Sequence, residues 1–342
     1  MTSAYVDVLV VGAGLAGASA ARSLADAGRR VAVLDKGRGP GGRLSTRRSG
    51  GGTFDHGAVV LQARGDAFKA WLDSESRAGR AARWRDGWVG VPGMNALVAG
   101  LLEGVDVRWS TTASALRRSD GTWRAVGVEG ETLAEAPMAV LAIPAPQACT
   151  LLTAAGAEGA GPKADGAAQA LDWLVDALAN LRYAPCWSAL IVVDGGFSPD
   201  RDGAAPIDRR SIGGDIEAII REVDKPGRPD AGHVVVQASA GWSKANLERP
   251  ADEVAALLRE AFVRATGTTE AHVRSSVAHR WRYARPLDLI DAGIARSVPG
   301  LVLAGDFVGE ATAAGDADAE RAWCSGRAAA GHLLGASFQP KS

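Results

Sequence analysis

Cysteine is scarce in this chain: three residues, Cys149, Cys186 and Cys324, lie far apart in 342 positions. That spacing excludes a disulfide framework and any Cys-x-x-Cys metal or redox motif. The five histidines show no metal-ligand spacing, no nucleophile elbow occurs, and no carboxylates pair by sequence position. Charge of one sign is also lacking. With 38 basic against 39 acidic residues and a formal net charge of −1, the electrostatic footprint of a nucleic-acid binder is missing. No apolar run reaches the roughly 18 residues of a membrane span, and no basic, apolar and small-residue leader precedes the first strand. The expected setting is the cytoplasm. Internal repeats are absent.

What remains is 47% hydrophobic, enough at this length for two structural regions around a sizeable core. The most informative stretch is Val8-Leu9-Val10-Val11-Gly12-Ala13-Gly14-Leu15-Ala16-Gly17, with Asp35 closing a second apolar run. It reads as a buried strand, a three-glycine turn and an alanine-rich helix. Gly12 permits the turn, Gly14 lets the backbone approach phosphates, and Gly17 lets helix and strand pack closely. Helix-end N–H groups around Leu15 and Ala16 then face a pyrophosphate, and Asp35, about 20 residues on, is placed to accept from a ribose. The helix is expected to run from Ala18 to Ala27 and end near Gly28. Arg30 to Leu34 is the second strand. This pattern predicts dinucleotide binding.

Directly after Asp35 comes Lys36-Gly37-Arg38-Gly39-Pro40-Gly41-Gly42-Arg43, a basic, flexible segment where a nicotinamide-dependent dehydrogenase would start its next helix. A solvated basic loop has the same composition. The doublet and arginine resemble the second glycine motif of the FAD-dependent amine oxidase superfamily. Further segments extend the resemblance: Phe54-Asp55-His56-Gly57-Ala58, Pro92-Gly93-Met94-Asn95, Val140 to Pro146, His279-Arg280-Trp281-Arg282-Tyr283-Ala284-Arg285-Pro286, Gly305-Asp306, and Glu320-Arg321-Ala322-Trp323-Cys324-Ser325-Gly326. Together they are similar to the bacterial renalase-like branch, with the HRWRYARP segment the most diagnostic.

That resemblance implies an α/β fold: a Rossmann-like FAD-binding domain of the glutathione-reductase/amine-oxidase type, and a substrate domain of mixed β-sheet plus helices. The motif positions put the first at 1–60, 91–145 and 279–342, and the second at 61–90 and 146–278. Val105–Trp109 and Gly300–Asp306 are expected strands of the first. Trp187–Val193 and His233–Ala238 are expected strands of the second. Ala154 to Ala168 reads as a loop before a helix Ala170 to Leu181, Gly195 to Pro206 as a hairpin or long loop, and Pro226–Pro229 as a turn.

The resemblance also implies noncovalent FAD, bound by Gly12, Gly14, Leu15, Ala16, Gly17, Asp35, Lys36, Gly42, Arg43, His56, Gly57, Ala58, Pro92, Gly93, Met94, Gly305, Asp306, Arg321, Ala322 and Trp323. Arg43 would meet the phosphate or flavin end, and Asp306 a ribityl hydroxyl, although an Asp after such a strand also caps turns. The helix from about Ala317 to Leu334 would point its N-terminus at the flavin N1–C2=O edge, where negative charge develops, with Arg321 beside it. The same helix also fits simple packing on the sheet.

Ten tryptophans stand beside three tyrosines and six phenylalanines, and indoles can wall a slot for a flat ring. Core packing accounts for most of them. Trp281 and Tyr283 are the preferred substrate candidates, sharing a strand face with His279, while Arg280, Arg282 and Ala284 take the other. His279 serves either as a structural histidine or in acid–base work. By resemblance, the reaction is oxidation of 2- or 6-dihydronicotinamide dinucleotides to NAD(P)+, with electrons passing to oxygen to form hydrogen peroxide. Arg47 and Arg48 extend the basic cluster toward phosphates of such a substrate. Monoamine oxidation and a non-catalytic flavin module remain alternatives. Of the six lysines, none falls in a motif at the flavin edge. The expected partners are a small dinucleotide and oxygen, without nucleic acid or membrane.

Overall fold

In a strand buried on both faces every side chain must be apolar, and Val8–Val11 and Val31–Leu34 meet that condition throughout. They are the centre of a five-stranded parallel sheet in the order Leu301–Leu303, Met138–Leu141, Val8–Val11, Val31–Leu34, Asp106–Arg108. The computed structural model of the protein describes residues 4–49, 51–156, 166–194, 214–229, 232–309 and 318–335. Alternation divides the sheet's side chains. Val8, Val10, Val33, Val140 and Val302 face the helices Leu15–Asp26 and Asp318–Gly335. Leu9, Val11, Leu34, Leu141 and Leu303 face a second layer. That layer is a meander of Ala113–Ser119, Thr122–Gly127 and Thr132–Ala136, edged by Ala4–Tyr5, together with helices Ala145–Gly156 and Gly166–Ala179.

Glycine sets how closely the helices approach. Gly12 has φ +106°, and a Cβ on Gly17 would lie 1.9 Å from the Gly12 carbonyl oxygen. A Cβ on Gly326 would stand 2.2 Å from the Ala16 carbonyl oxygen, and Ser19 Oγ donates to the Trp323 carbonyl at 2.9 Å. The C-terminal helix therefore lies directly on the first helix, backbone against backbone.

The second sheet is antiparallel, in the order Ile216–Arg221, His233–Ala238, Tyr183–Val193, Val273–Pro286. One face buries Ala189, Ile191 and Val236 against Val254, Leu258 and Phe262 of helix Ala251–Thr266. Leu190, Ala218, Ile220 and Val235, on the other face, join the core that holds the first helix. Near its end the pairing of Tyr183–Val193 with Val273–Pro286 slips, so that residues 282–284 stand opposite Pro185 alone. A proline without an N–H donor fits such a bulge.

Contacts cross two of the expected domain boundaries. Val273–Pro286 is one strand paired to Tyr183–Val193 as far as Pro286, so the break expected at 279 falls inside the second sheet. Register pairing decides this, which no local motif encodes. The segment 61–90, expected wholly in the second domain, buries Phe68, Leu72, Trp84 and Trp88 in the core around Leu15, Ala16 and Leu24. Trp71 stacks on Trp323 at 5.6 Å between centroids, tying helix Asp66–Arg77 to the C-terminal helix.

Local expectations differ at the ends. The first helix starts at Leu15 and not Ala18, and Gly300–Asp306 yields only Leu301–Leu303 as strand. The loop expected over Ala154 to Ala168 is helical to Gly156 and again from Gly166; 157–165 lie outside the described residues. So does the loop expected at Gly195 to Pro206. No helix among the described residues is long and apolar enough to cross a membrane.

Gly326→Ala is expected to lower stability by about 1–3 kcal/mol, because backbone would have to separate. Gly331→Ala on the same helix meets open space and should gain about 0.5–1 kcal/mol. Denaturant unfolding of both variants checks the pair; equal effects would refute the close-approach account.

Candidate active site

The glycine turn, the segment after Asp35 and the second sheet enclose one large cleft of about 2400 Å³. Gly12, Gly14, Leu15 and Ala16 line it, followed by Asp35, Lys36, Gly42 and Arg43, then His56, Gly57 and Ala58. Gly305, Asp306 and Ala322 line it as well, and His279, Trp281 and Tyr283 form part of its wall. Most of the expected residues therefore share one space. Gly17 lies behind the turn, packed on Gly12 and Ala142.

Each end of the glycine loop is held by a side chain or backbone close by. Asp35 accepts from the N–H groups of Ala13 and Gly37, both at 2.6 Å. Carboxylate oxygens have further lone pairs, so the same group could accept from a ribose. Gly41 and Gly42 adopt φ +133° and +56°, and a Cβ on Gly42 would lie 3.2 Å from Gly14 Cα. The two glycine motifs thus touch and form a backbone cradle. Gly57 packs against the Arg43 carbonyl, which accepts from the Ala58 N–H at 2.8 Å.

Arg43 and Asp306, expected to act separately on the cofactor, face each other. The guanidinium makes a bidentate pair with the carboxylate at 2.5 and 2.7 Å and donates to the Ala284 carbonyl at 3.1 Å. Burial works against the charge on Arg43, but Asp306 outweighs it and raises the guanidinium further. This pair clasps the 3-10 turn Gly42–Leu44 to the end of the last parallel strand and to the HRWRYARP segment. Ser325 Oγ completes the joint through Gly305, whose N–H it accepts at 2.9 Å.

Several expected contacts lie elsewhere. Arg321 is not among the cleft-lining residues; its guanidinium donates to the Asp306 carbonyl at 2.9 Å and lines a separate 600 Å³ pocket. Trp323 is buried against Trp71 and Phe68. Asp318, Ala319 and Ala322 present the start of the C-terminal helix to the cleft, as expected of that helix end. Burial raises the Asp318 carboxyl, with Asp306 adding to the effect. Gly93 and Met94 are buried and Pro92 is exposed; none of the three lines the cleft, and the Met94 N–H donates to Asp55 at 3.0 Å.

Asp55 anchors a buried charge cluster that the motifs do not reveal. It accepts from Thr46 Oγ1 at 2.7 Å and from Lys225 Nζ at 3.0 Å, and it pairs with Arg228 Nη2. Lys225 also donates to Glu222 at 3.0 Å, and Glu222 accepts from the Asp55 N–H at 3.1 Å. Burial opposes the Asp55 charge, yet Lys225 and Arg228 hold its carboxyl below the usual range. Glu222 shifts upward through burial. A charge alternation in Glu222-Val223-Asp224-Lys225 was the available signal, but its partner lies about 170 positions away.

The other end of the DHGA segment carries an imidazole and indole cluster. His56 and His279 meet edge to face at 4.7 Å, and Trp281 lies 5.2 Å from His56 and 4.4 Å from His279. Trp281 Nε1 donates to the His56 carbonyl at 2.7 Å. Desolvation, then the His279 charge, lowers His56 to about 4. Burial, then Arg47, also lowers His279. Both rings are therefore neutral at pH 7. Arg280 and Arg282 pair with Glu248, Arg282 at 2.6 and 2.8 Å, yet both also line the cleft beside His279 and Trp281, so the two expected strand faces are not separated here. Tyr283 packs edge-on against Tyr183 at 5.5 Å, and the Tyr183 phenol, raised by burial, accepts from the Ala145 N–H. Gln237, missed from sequence, donates to the Gly57 carbonyl at 2.7 Å. Among the described residues, no group of His, Cys, Asp and Glu side chains gathers as a metal site.

A parallel dinucleotide-binding sheet, a glycine cradle and an antiparallel sheet closing over it define a flavin-dependent oxidoreductase of the two-domain class. The family model NAD(P)-binding Rossmann-like domain matches residues 10–74, and Flavin containing amine oxidoreductase matches residues 75–334. The chain belongs to the flavin-containing amine oxidoreductase family. It is 29% identical over 197 residues, 39% of this chain and 30% of the relative, to the tRNA 5-methylaminomethyl-2-thiouridine biosynthesis bifunctional protein MnmC of Ralstonia nicotianae. It is 54% identical over 54 residues, 16% of this chain and 11% of the relative, to the phytoene dehydrogenase of Streptomyces griseus. These matches span less than a third of either relative. A structure assigned as a protoporphyrinogen oxidase from Exiguobacterium sp. 255-15 superimposes with TM-score 0.64 at 15% identity, covering 97% of this chain and 99% of that one. Putrescine oxidase bound to putrescine gives 0.61 at 12%, with the same coverage. At such identities the likeness is one of fold.

Two outcomes follow from the buried groups. Lys225→Met removes a cation between two buried carboxylates and should cost about 3–5 kcal/mol; K225M/E222Q should recover part of that loss in denaturant unfolding, and no recovery would refute the pairing. For His56, the native imidazole titrates near 4 and the unfolded one near 6.5. The unfolded state therefore binds the extra proton first as pH falls, and stability drops from pH 6.5 to 4 by about 3 kcal/mol. His56→Gln should flatten stability against pH in that window; an unchanged slope would show that other groups set it.

Proposed function

We propose that the protein is an FAD-dependent oxidase that takes hydride from 2- or 6-dihydronicotinamide dinucleotides, yielding NAD(P)+ and hydrogen peroxide. The observation that carries this reading is the wall formed by Trp281 with the His56 and His279 imidazoles, in the same cleft as the glycine cradle. An indole whose N–H is fixed to the His56 carbonyl gives a flat, rigid surface for a flat ring. Such a wall, with no carboxylate in the cluster, suits a neutral dihydropyridine better than an ammonium.

The residues present fit FAD. Where the Gly14 and Gly42 backbones nearly touch, side chains would block the approach of a pyrophosphate. On this reading the N-terminus of helix Leu15–Asp26 receives the phosphates, Asp35 the ribose, and the Gly42–Leu44 turn clasped by Arg43 and Asp306 the ribityl chain, all without a covalent link. The start of helix Asp318–Gly335, at Ala322, would face the flavin edge that gains negative charge. When bound, the cofactor would accept a hydride from the dihydropyridine and return two electrons and that proton to dioxygen, with a second proton from solvent completing hydrogen peroxide. The protein's own part is to hold the substrate ring flat and to exclude water. We place the cofactor domain at 1–145 and beyond Pro286, since the segment 61–90 packs on its first and last helices, with the whole strand Val273–Pro286 in the substrate domain.

The lysines support this reading over amine oxidation. Lys225 is locked between Asp55 and Glu222, and Lys36 beside the glycine loop is the lysine among the described lining residues. In anaerobic rapid mixing, 6-dihydroNAD should bleach the FAD at least about tenfold faster than 4-dihydroNADH, a barrier difference near 1.4 kcal/mol. Equal, slow reduction by both would overturn the proposal, and steady peroxide release from primary or secondary amines would replace it with amine oxidation.

A further inference from the structure

One part of the cleft is lined by Arg47 of the hairpin strand Thr46–Ser49, by His56 just after the strand Gly52–Asp55, and by His279 and Trp281 of the strand Val273–Pro286. His56 is 6% exposed and lines the cleft; its Nδ1 makes no hydrogen bond of good geometry among the described residues, although the Phe54 backbone acts on the ring. A buried, unpartnered ring nitrogen costs free energy unless something meets it. His279 crosses it edge to face at 4.7 Å and lines the same space. Arg47 lines the cleft from the hairpin, and its charge acts on both imidazoles. No carboxylate pairs with Arg47 among the described residues. The acid nearest in sequence, Asp55, is already satisfied by Lys225 and Arg228 behind the wall.

The electrostatic consequence has a definite sign. Burial, the neighbouring imidazole and the Arg47 guanidinium disfavour an added positive charge on His56 and together outweigh the Phe54 backbone and Asp55, which favour it. A ligand ammonium placed there would meet the same opposition. An oxygen carrying partial negative charge would gain from it, since a neutral imidazole offers an N–H and a guanidinium offers five. Trp281, 5.2 Å from His56 and 4.4 Å from His279, supplies a flat surface beside these donors. Flat ring and oxygen acceptor thus belong to one ligand.

We propose that His56, His279 and Arg47 form a receptor for the carbonyl oxygen of a ring carboxamide, with Trp281 as the surface against which that ring lies. The identity of the ring as a dihydronicotinamide rests on the function proposed above; the receptor's preference for a carbonyl does not. In the reaction these residues fix the ring's rotation, so that one ring carbon is presented for hydride loss. They exchange no proton with the substrate.

The test uses FAD-loaded protein titrated with nicotinamide, with pyridine and with 3-(aminomethyl)pyridine, followed by perturbation of the cofactor absorption. Nicotinamide should bind at least about tenfold tighter than pyridine, the worth of one or two well-placed hydrogen bonds, and 3-(aminomethyl)pyridine should bind most weakly. His279→Phe keeps a flat ring without donors and should reduce the nicotinamide-to-pyridine ratio toward 1, whereas His279→Asn should retain part of it. Arg47→Ala, on the exposed hairpin, should weaken nicotinamide several-fold and leave pyridine unchanged, and it decides the matter if the His279 variants fail to load FAD. Equal affinities in the wild type, no detectable nicotinamide binding, or a ratio unchanged in Arg47→Ala and His279→Phe would overturn the receptor. Failure of every dihydropyridine to reduce the flavin while the carbonyl preference persists would overturn the proposed function alone.

Discussion

Asp55 is the residue on which the architecture turns. Its carboxylate is fully buried, and an isolated charge there would be prohibitive. Two cations, Lys225 and Arg228, arrive from the turn beyond the edge strand of the second sheet, while Thr46 and the Met94 N–H arrive from the cofactor side. One carboxylate therefore joins the hairpin, the Pro92–Met94 turn and the second sheet. Glu222 balances the second cation and accepts from the Asp55 N–H. Such a cluster adds little net stability over an apolar replacement, but it tolerates no missing member. Its value lies in register: the backbone of His56, Gly57 and Ala58 leaves Asp55 in one direction only.

That direction matters because the next three residues form a wall of the cleft. His56 stands against His279 and Trp281, and Gly57 rests on the Arg43 carbonyl while accepting from Gln237. On the far side, Arg43 grips Asp306, and Arg321 grips the Asp306 carbonyl. The cleft is thus framed in part by charge pairs that satisfy one another, while the glycine backbone, Asp35, the imidazoles and Arg47 are among the groups that line it. Stability and recognition are carried by different groups.

The first βαβ unit was legible because its requirements are local. Four consecutive apolar residues, a glycine at φ +106°, and an acid at the next strand's end act within about 30 positions. Trp281 was singled out from its motif, but the strand that carries it does not part it from Arg280 and Arg282: all three line the cleft, and the two arginines also pair with Glu248. Arg43 and Asp306 were found singly, each from its own motif. Their mutual pairing was not, since 263 positions separate them. Gly326 closes the Glu320–Gly326 motif, but nothing in that motif says that its missing Cβ is what seats the last helix on the first.

Sequence by itself therefore determined the dinucleotide cradle, the alternation of the parallel strands and the flavoprotein class, because these rest on periodicity and on glycine conformations spanning a few residues. Tertiary structure alone decided that Lys225 is a buried counter-ion, that the strand through residue 279 belongs to the second sheet, and that Arg321 and Trp323 stand away from the cleft. Burial and ion pairing depend on which distant segments the chain brings together. Residues such as Lys225 take their charge environment from those segments and not from their neighbours in sequence.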